Sequence, residues 1–217
     1  MKFFVIIKEK SERLKNKNFL ILNNLKLYEH LLKELKGQEV YVDTDSNQIF
    51  NDLAETDIFC YKRKKEYIEL ENNEDFGISP VLLMVENFLD SYVTDDNEII
   101  VTPHVTSPFI KLSTILDASK MLNNGYDSVL ACTEHQEFSY FHGKPVNFDA
   151  NVVQKTQDLE PIVMGNGAFF IFTKKMFKKF KNRTGINPYF YPLKFPESIE
   201  IDNKEDFELA RAVAYVE

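Results

Sequence analysis

The chain predicts an α/β fold in three layers: a mainly parallel, Rossmann-like sheet with helices on both faces and a small β-hairpin arm protruding from it. Three observations predict it. Short apolar runs alternate with segments of helical periodicity, the pattern of βαβ units. The runs are apolar at successive positions, as strands covered on both faces must be. From about Glu134 to Met164 the texture changes to alternating aromatics around turn residues.

Taken in order, Phe3–Ile7 is an uninterrupted apolar run and reads as the first strand. Leu27, Tyr28, Leu31, Leu32 and Leu35 recur at helical spacing, and Gly37 stops that helix. Val40–Val42 and Ile58–Tyr61 read as the second and third strands. Pro80–Leu89 reads as a helix with its proline in the first turn. Ile99–Val101 is the fourth strand, Ile110–Leu122 a helix closed by Asn123-Asn124-Gly125, and Ser128–Thr133 the fifth strand. Phe138–Phe148 predicts a hairpin turning at His142-Gly143-Lys144-Pro145, followed by an irregular polar stretch, Asn147–Pro161. Such an arm either meets a partner or folds back on its own core. Asn166–Thr173 reads as a buried strand and Glu205–Tyr215 as a closing helix. No repeat, low-complexity tract or linker divides the sequence, so a single domain is expected over residues 1–217, with 134–164 as the arm.

Composition narrows the function. The 217 residues hold 34 acidic and 26 basic side chains, a net charge of −8, which argues against nucleic acid as a partner. An anionic small molecule remains open, because Lys8–Lys17 concentrates basic residues. With 44% apolar residues, 7 Gly and 8 Pro, the chain is neither collagen-like nor disordered. Cys60 and Cys132 are too few for a disulfide framework or a four-cysteine zinc site, and read as reduced core thiols of a cytoplasmic protein. No run reaches the ~20 apolar residues of a membrane helix. Pro80–Leu89 is interrupted by Glu86, and Phe3–Ile7 is too short for a signal core and runs into Lys8-Glu9-Lys10. No membrane partner is expected.

Ligands of parallel α/β sheets sit at the carboxyl ends of the strands. The loops that matter are therefore Lys8–Asn18, Asp43–Asn47, Tyr61–Tyr67 and Thr102–Pro108. Lys8, Ser11, Arg13 and Lys17 offer the cations and hydroxyl that a polyphosphate needs, although a solvated loop has the same composition. Glu200 and Asp202 are two apart, and on a strand such residues share a face. Adjacent carboxylates repel unless a cation separates them, and magnesium favours a few carboxylates completed by phosphate oxygens and water. A strand end with two solvated acids would read the same. Asp43 and Asp45 form a second such pair, with Asp45 expected to cap the following helix.

Seven segments resemble, in order, the motifs of the acylneuraminate (CMP-sialic acid) cytidylyltransferases. Lys8-Glu9-Lys10-Ser11-Glu12-Arg13-Leu14-Lys15-Asn16-Lys17-Asn18 is similar to R-x-x-S-K-R-x-x-x-K-N, and Val42-Asp43-Thr44-Asp45 to V-S-T-D. Arg63 resembles the Arg of an R-P segment, Thr106-Ser107-Pro108 the end of P-T-S-P, and Lys155-Thr156-Gln157-Asp158-Leu159 an R-x-Q-D-L arm. Asn166-Gly167-Ala168 matches N-G-A, and Ile199-Glu200-Ile201-Asp202 with Glu205-Asp206-Phe207 resembles I-D-I-D-x-x-x-D-F.

The resemblance implies a nucleotidyltransferase fold, usually a homodimer through the arm. It implies transfer of CMP from CTP to a sialic-acid-like α-keto acid sugar with release of pyrophosphate, for surface glycan assembly. It places Lys8, Ser11, Arg13 and Lys17 on the triphosphate, and Asn18 and Arg63 on ribose and base. His104, Thr106 and Asn166 fall on the acidic sugar, and Glu200 and Asp202 on magnesium. Lys17 and Asp202 are the residues expected to carry the chemistry. His104 is expected to touch substrate rather than act as a base. The aromatics Phe138, Tyr140, Phe141 and Phe148 are expected at a subunit interface.

The departures cluster around the same loop. Lys8 replaces an Arg, Lys10 a Gly and Glu12 a Lys; Ile110 and Met164-Gly165 stand where further arginines are expected, and Glu200 where an Asp is. Two readings follow: an active cytidylyltransferase with a shifted substrate, or a catalytically degenerate homologue that binds a sugar or nucleotide, or serves as a dimeric subunit of a glycan-assembly complex.

Overall fold

A computed structural model describes residues 1–71 and 80–215. β1 (Lys2–Ile7) leads through a long loop and the short strands β2 (Ile21–Leu22) and β3 (Leu25–Lys26) into α1 (Leu27–Glu34). There follow β4 (Val40–Thr44), α2 (Asn47–Asp52), β5 (Phe59–Lys62), α3 (Lys65–Glu71), α4 (Pro80–Tyr92), β6 (Ile99–Pro103) and α5 (Leu112–Ser119). The second half holds β7 (Ser128–His135), the hairpin β8 (Tyr140–Phe141) and β9 (Lys144–Pro145), β10 (Ile162–Thr173), α6 (Lys174–Phe180), β11 (Pro188–Pro192) and α7 (Lys204–Ala214).

Seven strands join in one sheet, ordered β11-β7-β10-β6-β1-β4-β5. β5, β4, β1 and β6 are parallel; β10 runs antiparallel to β6 and β7, and β11 runs parallel to β7. The expected mainly parallel sheet is present, with one reversed strand. Alternation in β1 explains the two cores. Phe3, Val5 and Ile7 pack with Tyr28, Leu31 and Leu35 on one face. Phe4 faces Met84, Val85, Phe88 and Leu89 of α4 and Met176 and Phe177 of α6 on the other. Both faces are covered, so the strand is apolar from Phe3 to Ile7.

The structure departs from the sequence reading in several places. The helix expected over 110–122 begins at Leu112 and finishes as a 3₁₀ turn over Lys120–Asn124, with Gly125 left-handed at φ 90°. The strand expected from Asn166 starts at Ile162. The hairpin turns on His142 (φ 49°) and Gly143 (φ 76°), the two left-handed positions of a type I′ turn. Ser46, not Asp45, caps α2: its Oγ accepts from Ile49 N at 3.4 Å. Glu200 and Asp202 lie on no strand but in the segment between β11 and α7, anchored where Ile201 N donates to Thr106 O at 2.8 Å. β11, α2, α3 and α6 went unpredicted. β11 carries a proline at each end, which the sheet accepts because β11 is its edge. Cys60 is half-buried and Cys132 buried, both are free thiols, and burial pushes each up to about 11. Among the described residues no helix is long and apolar enough to cross a membrane.

Candidate active site

β1 is where the sheet's strand order turns: the chain pairs it with β4 on one side and β6 on the other. Loops leaving the carboxyl ends of β1 and β6 therefore diverge and leave a crevice between them. A cleft of about 330 Å³ opens there. One wall is the loop after β1, with Lys8, Lys10, Ser11, Glu12, Arg13, Lys17 and Asn18; the other holds Thr102, His104, Thr106 and Arg183. Among the described residues the lining has five cations (Lys8, Lys10, Arg13, Lys17, Arg183) and one carboxylate (Glu12), in a chain whose net charge is −8. Both Lys10 and Glu12 thus belong to the cleft wall.

The loop is tied down at both ends. Asn18 Nδ2 donates to Lys8 O at 2.8 Å, closing the loop on itself, while Glu9 N donates to Asp45 Oδ1 at 2.7 Å. Asn18 Oδ1 is buried without a hydrogen-bond partner among the described residues. The side chain of Lys17, only 13% exposed, donates to Ile201 O at 2.8 Å and to Asp202 Oδ1 at 3.1 Å. The far more exposed Arg13 reaches the same Asp202 oxygen at 2.9 Å. The late-chain acid and the N-terminal cations, 185 residues apart in sequence for Lys17 and 189 for Arg13, therefore meet at one mouth of the cleft.

Glu200 faces the other way. Thr106 Oγ1 donates to its Oε1 at 3.4 Å, and His104 Nδ1 lies 4.0 Å from the same oxygen. Arg183 NH1 approaches the other ring nitrogen, His104 Nε2, at 3.5 Å, the long limit of hydrogen bonding. A β-bulge makes room for the carboxylate. The pairing of β10 with β7 shifts register between Gly165 and Phe170, and Gly167 sits at φ +81°. A Cβ there would lie 3.0 Å from Glu200 Oε1, so this position requires glycine on two counts. Asn166 braces the bulge, donating to Ser198 O at 2.8 Å and accepting from Ala168 N at 3.2 Å.

No group of three or more His, Cys, Asp or Glu side chains suited to a metal occurs among the described residues. Glu200 and Asp202 are hard oxygen donors of the kind magnesium takes together with phosphate and water, but they face apart, Glu200 toward Thr106 and His104 and Asp202 toward Lys17 and Arg13.

Arg63 stands apart from its expected place on ribose and base. Its side chain is 0% exposed and its Nε donates to Asp43 Oδ1 at 2.6 Å, with Asp43 2% exposed. It also reaches Ile7 O at 3.4 Å and lies 3.9 Å from Asp45. Arg63 thus joins the carboxyl ends of β1, β4 and β5 beneath the cleft rather than lining it. Sequence reasoning missed Arg183, which lies between α6 and β11 in a segment with no motif. Its guanidinium lies 4.0 Å over the Phe170 ring, and burial pulls that group down to about 10.

A cationic crevice at the turning point of this sheet is the architecture of the nucleotidyltransferases. CMP:2-keto-3-deoxy-manno-octonic acid synthetase complexed with CTP superposes with a TM-score of 0.63 at 11% identity, covering 99% of this chain and 98% of that one. A 4-diphosphocytidyl-2C-methyl-D-erythritol synthase gives 0.65 at 8% identity, covering 98% and 97%. A family model described as Cytidylyltransferase matches residues 5–214, and the chain belongs to that family. It is also 26% identical over 211 residues to the N-acylneuraminate cytidylyltransferase of Streptococcus agalactiae serotype III (strain NEM316), an alignment taking in 91% of this chain and 49% of that protein. The chain spans about half the length of the curated relatives it matches.

Proposed function

We propose that this protein transfers the cytidylyl group of CTP to an α-keto acid sugar of the sialic acid type, releasing pyrophosphate. The observation that carries the reading is Asp202 held against Lys17 at 3.1 Å and Arg13 at 2.9 Å at the mouth of a cleft lined by cations. Lys8, Ser11, Arg13 and Lys17 receive the triphosphate, Lys17 as the fixed contact and Arg13 as the mobile one. Asn18 offers its buried carbonyl oxygen to the nucleoside. His104 and Thr106 face the sugar from the opposite wall, and Asn166 holds the bulge behind them. The acceptor hydroxyl attacks the α-phosphorus, the bond from that phosphorus to the pyrophosphate breaks, and the hydroxyl proton leaves to water. Magnesium held by Glu200 and Asp202 would neutralise charge on the α-phosphate and acidify the attacking hydroxyl. Lys17 and Arg13, which share Asp202 here, would then serve the phosphates.

The arm over 134–164 serves as a homodimer contact in this reading. Phe138, Tyr140, Phe141, Val152, Val153 and Met164 leave apolar surface exposed there, more than scattered surface residues account for. Gel filtration at micromolar concentration is expected to return a dimer. One observation favours the degenerate homologue as second reading: Glu12 lies in the wall that would face a tetra-anion.

Pyrophosphate release from CTP with magnesium and a panel of sugar α-keto acids decides between them. Release is expected, and Asp202→Asn is expected to abolish it with an unchanged melting temperature, because this ion pair is partly exposed. CTP binding without release for any acceptor would leave the binding role alone.

A further inference from the structure

The cations of the cleft are sorted between its two walls. Lys8, Lys10, Arg13 and Lys17 all belong to the loop after β1, whereas Arg183 comes from the segment between α6 and β11 and faces them across the cleft. Two of the four on the loop, Arg13 and Lys17, share Asp202. Arg183 differs in kind. Its guanidinium carbon lies 4.0 Å over the centre of the Phe170 ring, and NH1 is directed at Thr102 Oγ1 (3.4 Å) and His104 Nε2 (3.5 Å). Both contacts stand at the long limit of hydrogen bonding, and neither partner is a carboxylate. Among the described residues, no carboxylate lies within ion-pair distance of Arg183.

A largely buried cation without a counter-ion is costly, and proteins normally pair it. Here the missing partner can be supplied by the substrate. A planar guanidinium held on an aromatic ring matches a carboxylate through two parallel N–H···O bonds, a match that a lysine cannot make. The base and ribose of a nucleotide carry no charge for it, and the polyphosphate has four cations on the opposite wall.

We propose that Arg183 is the specificity-determining residue that takes the carboxylate of the acceptor, restricting the cleft to acidic sugars. The assignment rests on the transferase reading above for its acceptor, and it explains how the chain selects an acid although Ile110 and Met164 bring no charge to this end of the site. Thr102 and His104 position the guanidinium, and His104 passes the contact on toward Glu200.

Calorimetry on the whole chain with CMP bound measures sugar binding separately from turnover. Wild-type protein is expected to bind N-acetylneuraminic acid about a hundredfold more tightly than its methyl ester, the scale of losing one partner of a buried charge pair. Arg183→Met is expected to bind acid and ester alike with unchanged affinity for CTP, and Arg183→Lys to recover part of the preference. Equal affinity of the wild type for acid and ester overturns the proposal without any variant having to fold, as does failure to bind the acid. Loss of CTP affinity in Arg183→Met in step with acid affinity also overturns it, moving Arg183 to the phosphate pole. Acid-selective binding without pyrophosphate release leaves Arg183 in its role and removes the transferase reading; release with no acid selectivity does the reverse.

Discussion

Asp43→Asn puts the hidden frame of the site to the test. Arg63 and Asp43 meet at 2.6 Å with side chains 0% and 2% exposed, so neither charge has solvent to fall back on. Neutralising Asp43 removes the nearest counter-charge of a buried guanidinium and leaves Asp45 at 3.9 Å as a weaker one, and breaking such a buried pair costs about 3–5 kcal/mol. For a chain of 217 residues the unfolding entropy is about 0.45 kcal/mol per degree near the midpoint, so the melting temperature should fall by roughly 7–11 °C. Circular dichroism melts and urea titrations measure both quantities. Arg63→Met should act in the same direction, and the double variant Arg63→Met/Asp43→Leu should recover at least half the loss, because an apolar pair removes both desolvation penalties. A drop below about 2 °C in Asp43→Asn would refute this reasoning, being the size of a surface pair. So would a double variant worse than the sum of the singles. Arg63→Met that melts like the wild type but no longer binds CTP would instead return Arg63 to the direct nucleotide contact expected from sequence.

Glu12→Lys replaces a carboxylate of the cleft lining with a cation. Glu12 is exposed, so the gain in CTP affinity should be about tenfold at low salt and shrink as ionic strength rises, read by calorimetry at two salt concentrations. Lys181 and Lys178 hold the Glu86 carboxyl below its ordinary value and tie α4 to α6. A depressed carboxyl stabilises the fold above its unfolded pKa and loses that contribution as pH falls through the folded one. The melting-temperature gap between wild type and Glu86→Gln should therefore be full at neutral pH and close by about pH 3; a gap constant down to that pH would contradict the assignment.

Much of the fold was legible in the sequence for a simple reason. Strands buried on both faces have no freedom in residue type, so Phe3–Ile7 could be little else, and Gly125, His142 and Gly143 occupy positions where backbone conformation selects the residue. The seven motif-like segments named the family and the wall of the cleft. Sequence was silent where structure depends on what lies alongside. β11 is readable as a strand only once it is known to be an edge, and α6 has four lysines among its seven residues.

The site divides along the same line. Sequence alone determined which residues carry charge, and so that a basic loop after β1 and two late acids existed to be paired. Their pairing was decided in three dimensions, because Ile201 hydrogen-bonds to Thr106 and carries Asp202 onto Lys17, while the Gly167 bulge turns Glu200 toward His104. Tertiary structure likewise took Arg63 out of the cleft and brought Arg183 in. A side chain's charge is a local property, but whether that charge is neutralised or left for a ligand depends on which distant groups the fold sets beside it.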